Sequence, residues 1–311
     1  MAQLYHVLGA KQFTRDELEG LFDSAQEMEQ VVARGGDRRY EGKIMTTLFF
    51  EASTRTRLSF ESAMHRLGGG VIGTENAAQF SSAIKGETLE DTIRIVSGYS
   101  DVIVMRHTDI GAAKRAAKVA SIPVINAGDG AGEHPTQALL DAYTIRKEFG
   151  KIDGLKIAMV GDLAYGRTVH SLSYMLANYQ DVTITYISPD NARIPDNVKK
   201  YLDEKGIRYV ETTDLDAVAG SIDVLYQTRI QKERFPSLEE YEKAAGKYIV
   251  DRKLMDLLKP EAIVLHPLPR AGEIAEEVDD DPRAAYFRQA VNGLYIRMAL
   301  IDKCFRGGSQ E

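Results

Sequence analysis

The sequence predicts an α/β protein of two domains, each a parallel β-sheet flanked by helices, with C-terminal helices packing back on the N-terminal domain. Three observations carry this. Short apolar runs rich in Val and Ile recur along the chain. The stretches between them hold apolar residues at helical spacing. The chain has 311 residues, enough for two domains at roughly 100–200 residues each.

In chain order, the runs Ile44–Phe50, Asp101–Met105, Ile122–Ile125, Leu155–Val160, Val182–Ile187, Ile222–Tyr226 and Ala262–Leu265 read as buried strands. Their near-continuous apolar character suits strands covered on both faces. Between them, Phe60, Ala63, Met64 and Leu67 fall on one helical face, and Gly68-Gly69-Gly70 stops that helix. Leu89, Ile93 and Val96 repeat the pattern, as do Ala138, Ala142, Ile145 and Phe149, with Gly150 as a C-terminal glycine. Strand–helix alternation of this kind specifies α/β architecture. The domain junction is placed near 150. The expected domains are then 1–150 and 151–285, with residues 286–311 as C-terminal helices returning to the first.

Bulk composition narrows the function. Formal net charge is −7, from 39 basic and 46 acidic residues. Nucleic-acid binding needs a positive surface that releases counterions, so an acidic chain argues against it. A bound anion would need locally clustered cations instead. A single cysteine, Cys304, precludes a disulfide within the chain and a cysteine metal cluster. The six histidines show no metal-ligand spacing. No apolar stretch approaches the ~18 residues of a membrane span, and the N-terminus lacks a secretory pattern. The expected compartment is reducing: cytoplasmic, or a plastid stroma if a transit peptide has been removed.

Four loops face toward anion chemistry. Ser53-Thr54-Arg55-Thr56-Arg57 follows the first strand and opens a helix. Ser and Thr there can cap free backbone N–H groups. The same N–H groups and the positive helix end form a phosphate site, and Arg adds a fork suited to phosphate. A plain cap with solvated arginines is the competing reading. Phe80-Ser81-Ser82-Ala83-Ile84-Lys85-Gly86-Glu87-Thr88 is a small polar loop with one Lys ahead of a helix; it could be a mobile phosphate-contacting loop, though alone it reads better as a surface loop. Asn126-Ala127-Gly128-Asp129-Gly130 leads into His134-Pro135-Thr136-Gln137 at a strand's carboxyl end, where open α/β sheets carry their sites. His134 could donate to a carbonyl oxygen, with Gln137 one helical turn on. His266-Pro267-Leu268-Pro269-Arg270 is a proline-stiffened segment whose carbonyls could serve as fixed acceptors, or simply a turn.

Arg106, Arg167, Arg229 and Gln231 complete the set, all at or beyond strand ends. Cations gathered there in an acidic chain suggest a pocket for an anionic substrate. A Walker A sequence and HExxH are absent, and Gly161-Asp162…Gly166 lacks the G-x-G-x-x-G spacing, which argues against NAD.

Together these loops resemble the aspartate/ornithine carbamoyltransferase family over nearly the whole chain and in the same order. Ser53-Thr54-Arg55-Thr56-Arg57 is similar to its carbamoyl-phosphate loop, and His134-Pro135-Thr136-Gln137 to its second signature. Ornithine-type members characteristically carry a cysteine in the His-Pro motif and a Ser-Met-Gly signature. This chain has Leu268 and no Ser-Met-Gly, and adds Lys85, Arg229 and Gln231. The resemblance therefore implies L-aspartate as acceptor, ornithine or an acylated ornithine being the alternative. An inactive scaffolding relative would be expected to lose a loop residue, and none of the expected polar positions is lost. Gln79–Thr92 and Asp281–Ala299 resemble the plant-type members most.

The resemblance also implies roles. Ser53, Thr54, Arg55 and Thr56 would hold the phosphate of carbamoyl phosphate. Arg106 and His134, with Thr56, would polarise its carbonyl. Gln137 and the Pro267 and Leu268 carbonyls would hold its NH2. Arg167, Arg229 and Gln231 would bind the aspartate carboxylates, with Lys85 and Leu268 contributing. Ser81 and Lys85 would enter a neighbouring subunit's site in a homotrimer. The motifs do not specify whether regulatory chains join it. No metal or cofactor is implied, and the reaction would serve an early step of de novo pyrimidine biosynthesis. No residue in the set is an evident base for the amine, so the departing phosphate is the expected proton acceptor.

Overall fold

Every strand pairing in the two sheets is parallel, as the continuous apolar runs require. The computed structural model describes residues 5–77, 86–230, 237–244 and 246–307. They divide into two units, Met1–Leu140 with Val291–Glu311, and Asp141–Ala290.

In the first unit, α1 (Arg15–Ala33) starts at a capping box. Thr14 Oγ1 accepts from the Glu17 N–H at 3.3 Å, and the Thr14 N–H donates to the Glu17 carboxylate at 2.9 Å. Then follow β1 (Ile44–Phe49), α2 (Thr54–Arg66), β2 (Gly70–Glu75), α3 (Leu89–Val96), β3 (Val102–His107), α4 (Ala112–Val119), β4 (Val124–Asp129) and α5 (Pro135–Phe149). The sheet order is β2-β1-β3-β4. Behind it, Leu48, Ile93, Ile103, Met105, Ala116 and Val124 form a buried cluster. Burying aliphatic side chains of this size contributes about 1.5–3 kcal/mol each. The packed sheet thus holds the loops at its rim in place.

In the second unit the order is β5 (Lys156–Val160), α6 (Arg167–Leu176), β6 (Thr183–Ile187), α7 (Asp196–Glu204), β7 (Arg208–Thr212), α8 (Asp216–Ala219), β8 (Val224–Gln227), α9 (Leu238–Ala244), α10 (Arg252–Leu257) and β9 (Ile263–Leu265). Its sheet runs β7-β6-β5-β8-β9. The last helix, α11 (Tyr286–Arg306), is a single element. Asp302 on it accepts from Arg39 at 3.1 Å and from the Tyr40 hydroxyl at 2.7 Å. Arg297 lies 5.2 Å over the Phe60 ring. α11 is thus anchored on α2 and on the segment after α1.

All seven expected strands are present. The glycine stop also holds: Gly68 takes φ +85° just after α2. Two strands went unexpected, β2 and β7. Both are sheet edges, and each is only partly buried along its length. A half-exposed edge needs no continuous apolar run, so Gly70-Val71-Ile72-Gly73-Thr74-Glu75 and Arg208-Tyr209-Val210-Glu211-Thr212 carry none.

Candidate active site

Each sheet has one place where the chain reverses its direction of travel. In the first, it leaves β1 for β2 on one side and later crosses to β3 on the other. Loops leaving β1 and β3 diverge there and open a crevice at the strands' carboxyl ends. Ser53–Arg57 follows β1 and Arg106 lies at the end of β3, with Phe49 and Arg106 aligned in register. In the second sheet the reversal lies between β5 and β8. Arg167 follows β5 and Arg229 follows β8. Four of the cations expected from sequence thus sit at the points where strand order reverses in the two sheets.

The Ser53 loop is arranged differently from a simple cap. Ser53 is the residue before α2, yet its side chain makes no cap hydrogen bond. The first N–H groups of the helix are left without a local hydroxyl partner, as an anion site requires. Thr54 and Arg55 are exposed on the first turn, and Thr56 is buried. The Arg55 pKa is lowered, first by surrounding protein that withdraws solvent and second by repulsion from Arg106. Two guanidinium groups so placed favour a bound anion. Arg57, by contrast, turns away into a structural network. It donates to Glu61 at 2.7 Å and to Glu75 at 2.9 Å, and Glu61 accepts from Thr47 at 3.1 Å. The second Arg of the motif therefore ties α2 to the edge strand β2.

Arg106 is buried. Its guanidinium donates to Glu51 at 3.0 Å and to the Ala127 carbonyl at 3.4 Å. Glu51 was not expected from sequence; its signal was one acid directly after a strand end, among cations. The segment between β4 and α5 is fixed by Asp129. One of its carboxylate oxygens accepts from the Glu133 N–H and the other from the Gly111 N–H, both at 2.8 Å. This holds His134 and Gln137, both buried, at the start of α5. The His134 carbonyl accepts from the Gln137 and Ala138 N–H groups at 3.1 Å. The Thr136 hydroxyl stands 3.5 Å from His134 Nδ1.

In the second unit the loops after β5 and β8 are stitched together. Thr228 Oγ1 accepts from the Asp162 N–H at 3.1 Å and donates to the Val160 carbonyl at 2.9 Å. Gly161 takes φ +115°, and a Cβ there would stand 2.5 Å from the Thr228 carbonyl oxygen, so only glycine permits this approach. Asp162 in turn accepts from the Tyr165 N–H at 2.9 Å. Arg167, buried, and Arg229, half-buried, extend from this paired base.

The His266–Arg270 segment is more constrained than its prolines indicate. Leu268 has φ +51°, and the Leu268–Pro269 peptide is cis. The Leu268 N–H donates to His266 Nδ1 at 2.8 Å, and His266 Nε2 lies 2.7 Å from Glu273. The sequence alone assigns His266 and Glu273 no role; the signal it carries is a His heading the motif and an acid seven residues on. Arg270 at the motif's end pairs with Asp279. Ser81, Lys85 and Gln231, three residues expected in the site, lie outside the described residues. Among the described residues, no group of three or more His, Cys, Asp or Glu could hold a metal ion.

Comparison with known proteins agrees in both halves. Residues 5–147 match the carbamoyl-P binding domain of the aspartate/ornithine carbamoyltransferases, and residues 153–304 match their Asp/Orn binding domain. The chain is 58% identical to the chloroplastic aspartate carbamoyltransferase of Oryza sativa subsp. japonica over 306 residues, covering 96% of this chain and 84% of the relative. It is 52% identical to the aspartate carbamoyltransferase catalytic subunit of Methanopyrus kandleri, over 97% of each chain. The catalytic subunit of M. jannaschii aspartate transcarbamoylase superposes with a TM-score of 0.91 at 47% identity, covering 98% of this chain and 99% of that one. A Trypanosoma cruzi aspartate transcarbamoylase in complex with carbamoyl phosphate and aspartate does so with a TM-score of 0.91 at 44% identity, over 96% of each chain. The expectation raised by the Ser53 and His134 loops holds across the whole molecule: this chain belongs to the aspartate/ornithine carbamoyltransferase family.

Proposed function

We propose that this protein transfers the carbamoyl group of carbamoyl phosphate to the α-amine of L-aspartate, giving N-carbamoyl-L-aspartate and phosphate, an early step of de novo pyrimidine biosynthesis. The observation that carries the reading is the placement of cations at both sheet reversals, Arg55 and Arg106 in the first and Arg167 and Arg229 in the second. Two cations suit the two carboxylates of aspartate. A second amine, as in ornithine, would want carboxylates at those places. Relatives named aspartate carbamoyltransferase at 52–58% identity support the same acceptor.

The residue roles proposed are those that the resemblance to the family implies. The N–H groups at the start of α2, with Ser53, Thr54, Arg55 and Thr56, hold the phosphate. Arg106 and His134 donate to the carbonyl oxygen, with Thr56 assisting. Gln137 and the carbonyls of Pro267 and Leu268 hold the NH2 group. Arg167, Arg229 and Gln231 bind the carboxylates. The aspartate amine attacks the carbonyl carbon, a C–N bond forms, and the C–O bond to phosphate breaks. Negative charge grows on the carbonyl oxygen and then on the leaving phosphate, where fixed donors are each worth about 3–4 kcal/mol. The departing phosphate takes the amine proton. Two anions that repel in water are held together by fixed cations, which removes the cost of bringing them together.

Ser81 and Lys85 act in the neighbouring subunit's site of a homotrimer, working in a reducing compartment, cytoplasm or plastid stroma. Mixing Arg55→Ala with Lys85→Ala protein then restores part of the activity through hybrid trimers, because some sites receive neither change; mixtures as inactive as their parents would refute a shared site. The transfer reading itself is tested by calorimetry with N-(phosphonacetyl)-L-aspartate, which joins both anions. It binds more tightly than carbamoyl phosphate or aspartate alone, by at least about 100-fold; binding no tighter than carbamoyl phosphate would refute it.

A further inference from the structure

The proposed role of the Leu268 carbonyl poses a physical problem. It must accept a hydrogen bond from the substrate, which requires a peptide held to a few tenths of an ångström. Yet Leu268 has φ +51°, a left-handed region that a non-glycine side chain rarely adopts because its Cβ crowds the backbone. Something must hold that backbone in place.

The Leu268 N–H donates to His266 Nδ1 at 2.8 Å. A backbone N–H can only donate, so Nδ1 carries no proton and the ring proton is on Nε2. Nε2 then donates to Glu273 Oε1 at 2.7 Å. Glu273 is itself fixed by the Ala271 N–H at 2.9 Å. Burial pushes its pKa up, but the hydrogen bonds from His266 and from the backbone, the Ala271 N–H among them, together with electrostatic attraction to His266 bring it below the ordinary value. The ring is almost fully buried, with 1% of the side chain exposed. From the other side, the His266 N–H donates to Gln289 Oε1 at 2.9 Å. Gln289 Nε2 donates to Asp141 at 2.6 Å, and Asp141 accepts from the Tyr226 hydroxyl at 2.7 Å.

We infer that His266 is a positioning residue for the carbamoyl acceptor. The Glu273 carboxylate selects the Nε2–H form of the ring, and that form alone can accept from Leu268. The opposite form, or an imidazolium, would set Nδ1–H against the Leu268 N–H. This rests on the proposed function, because it is the carbamoyl NH2 that the Pro267 and Leu268 carbonyls are to hold.

Two substitutions separate this role from simple packing. His266→Asn puts an amide oxygen close to the Nδ1 position and loses Glu273. His266→Gln reaches toward Glu273 and offers nothing at Nδ1. The readouts are KM for carbamoyl phosphate, the inhibition constant of inorganic phosphate, and Tm. The expected result is about a tenfold or greater rise in KM for carbamoyl phosphate in His266→Gln, a rise of less than about threefold in His266→Asn, and phosphate inhibition little changed in both. The contrast follows because inorganic phosphate has no NH2 group for the carbonyls to hold. His266→Gln equal to or better than His266→Asn would overturn the inference, as would parallel weakening of phosphate. If wild-type protein fails to carbamoylate aspartate, the underlying function fails instead, and that is seen before any variant is made.

Discussion

Arg106 donates to Glu51 at 3.0 Å, and this pair couples the ends of β1 and β3. A buried guanidinium without a counter-charge is costly, and Glu51 supplies one while also fixing the direction of the fork. Arg106→Ala is expected to lower kcat at least about 100-fold, as loss of a donor to a developing oxyanion does. Glu51→Gln is expected to lower it about tenfold, because the fork keeps a partner but loses its charge. Steady-state kinetics check both. Equal kcat for wild type and Glu51→Gln would make the pair incidental.

Arg55 and Arg57 lie two residues apart and are expected to behave oppositely. Arg55 is exposed on the first turn of α2, so Arg55→Ala should leave Tm nearly unchanged while turnover drops by at least about 100-fold. Arg57 holds Glu61 and Glu75. Arg57→Gln should cost about 1 kcal/mol of stability, the range of a partly exposed ion-pair network, with kcat within a few-fold of wild type. Thermal melts beside initial rates decide the matter. Activity lost with Arg57 and kept without Arg55 would reverse the assignment.

Arg167→Gln and Arg229→Gln remove one guanidinium each from the loops after β5 and β8. KM for aspartate is expected to rise about 30-fold or more, as for a charge-assisted contact. KM for carbamoyl phosphate should change less than about threefold. Titration of each substrate at saturating levels of the other measures this. A selective effect on carbamoyl phosphate would contradict the division of roles.

Acid stability should reflect Asp281. Its carboxylate accepts from Arg283 at 2.8 and 3.0 Å, and the Arg283 bond holds its pKa below the ordinary 3.8. Arg283 also donates to the Met255 carbonyl at 2.8 Å near the end of α10. A depressed folded pKa means the folded state binds this proton less readily than the unfolded one. The stabilisation is therefore fully present above about pH 4 and is lost as pH falls through the folded value. Asp281→Asn should cost about 1–3 kcal/mol at pH 7, and its gap from wild type should close below pH 4. Chemical denaturation across pH measures it, and a gap that widens in acid would refute it.

Much of this was legible in the sequence. Buried strands such as Ile157–Val160 must be apolar on both faces, and chemistry-bearing loops must follow them. The edge strands β2 and β7 were not legible, since a half-exposed strand carries no continuous pattern. Arg55 and Arg57 look equivalent in a string of letters; only the positions of Glu61 and Glu75 mark Arg57 as the structural one. The partners of Arg106 and His266 were hidden for another reason. Glu51 lies 55 residues from Arg106 in sequence, and Glu273 acts through a proton position, which no spacing rule encodes.

The most direct test is product identity. Purified protein is incubated with carbamoyl phosphate and equal concentrations of L-aspartate and L-ornithine, and the products are separated by mass. N-carbamoyl-L-aspartate released together with phosphate, with citrulline at background, is the expected result. Citrulline as the main product, or phosphate released without any carbamoylated amine, would contradict the assignment.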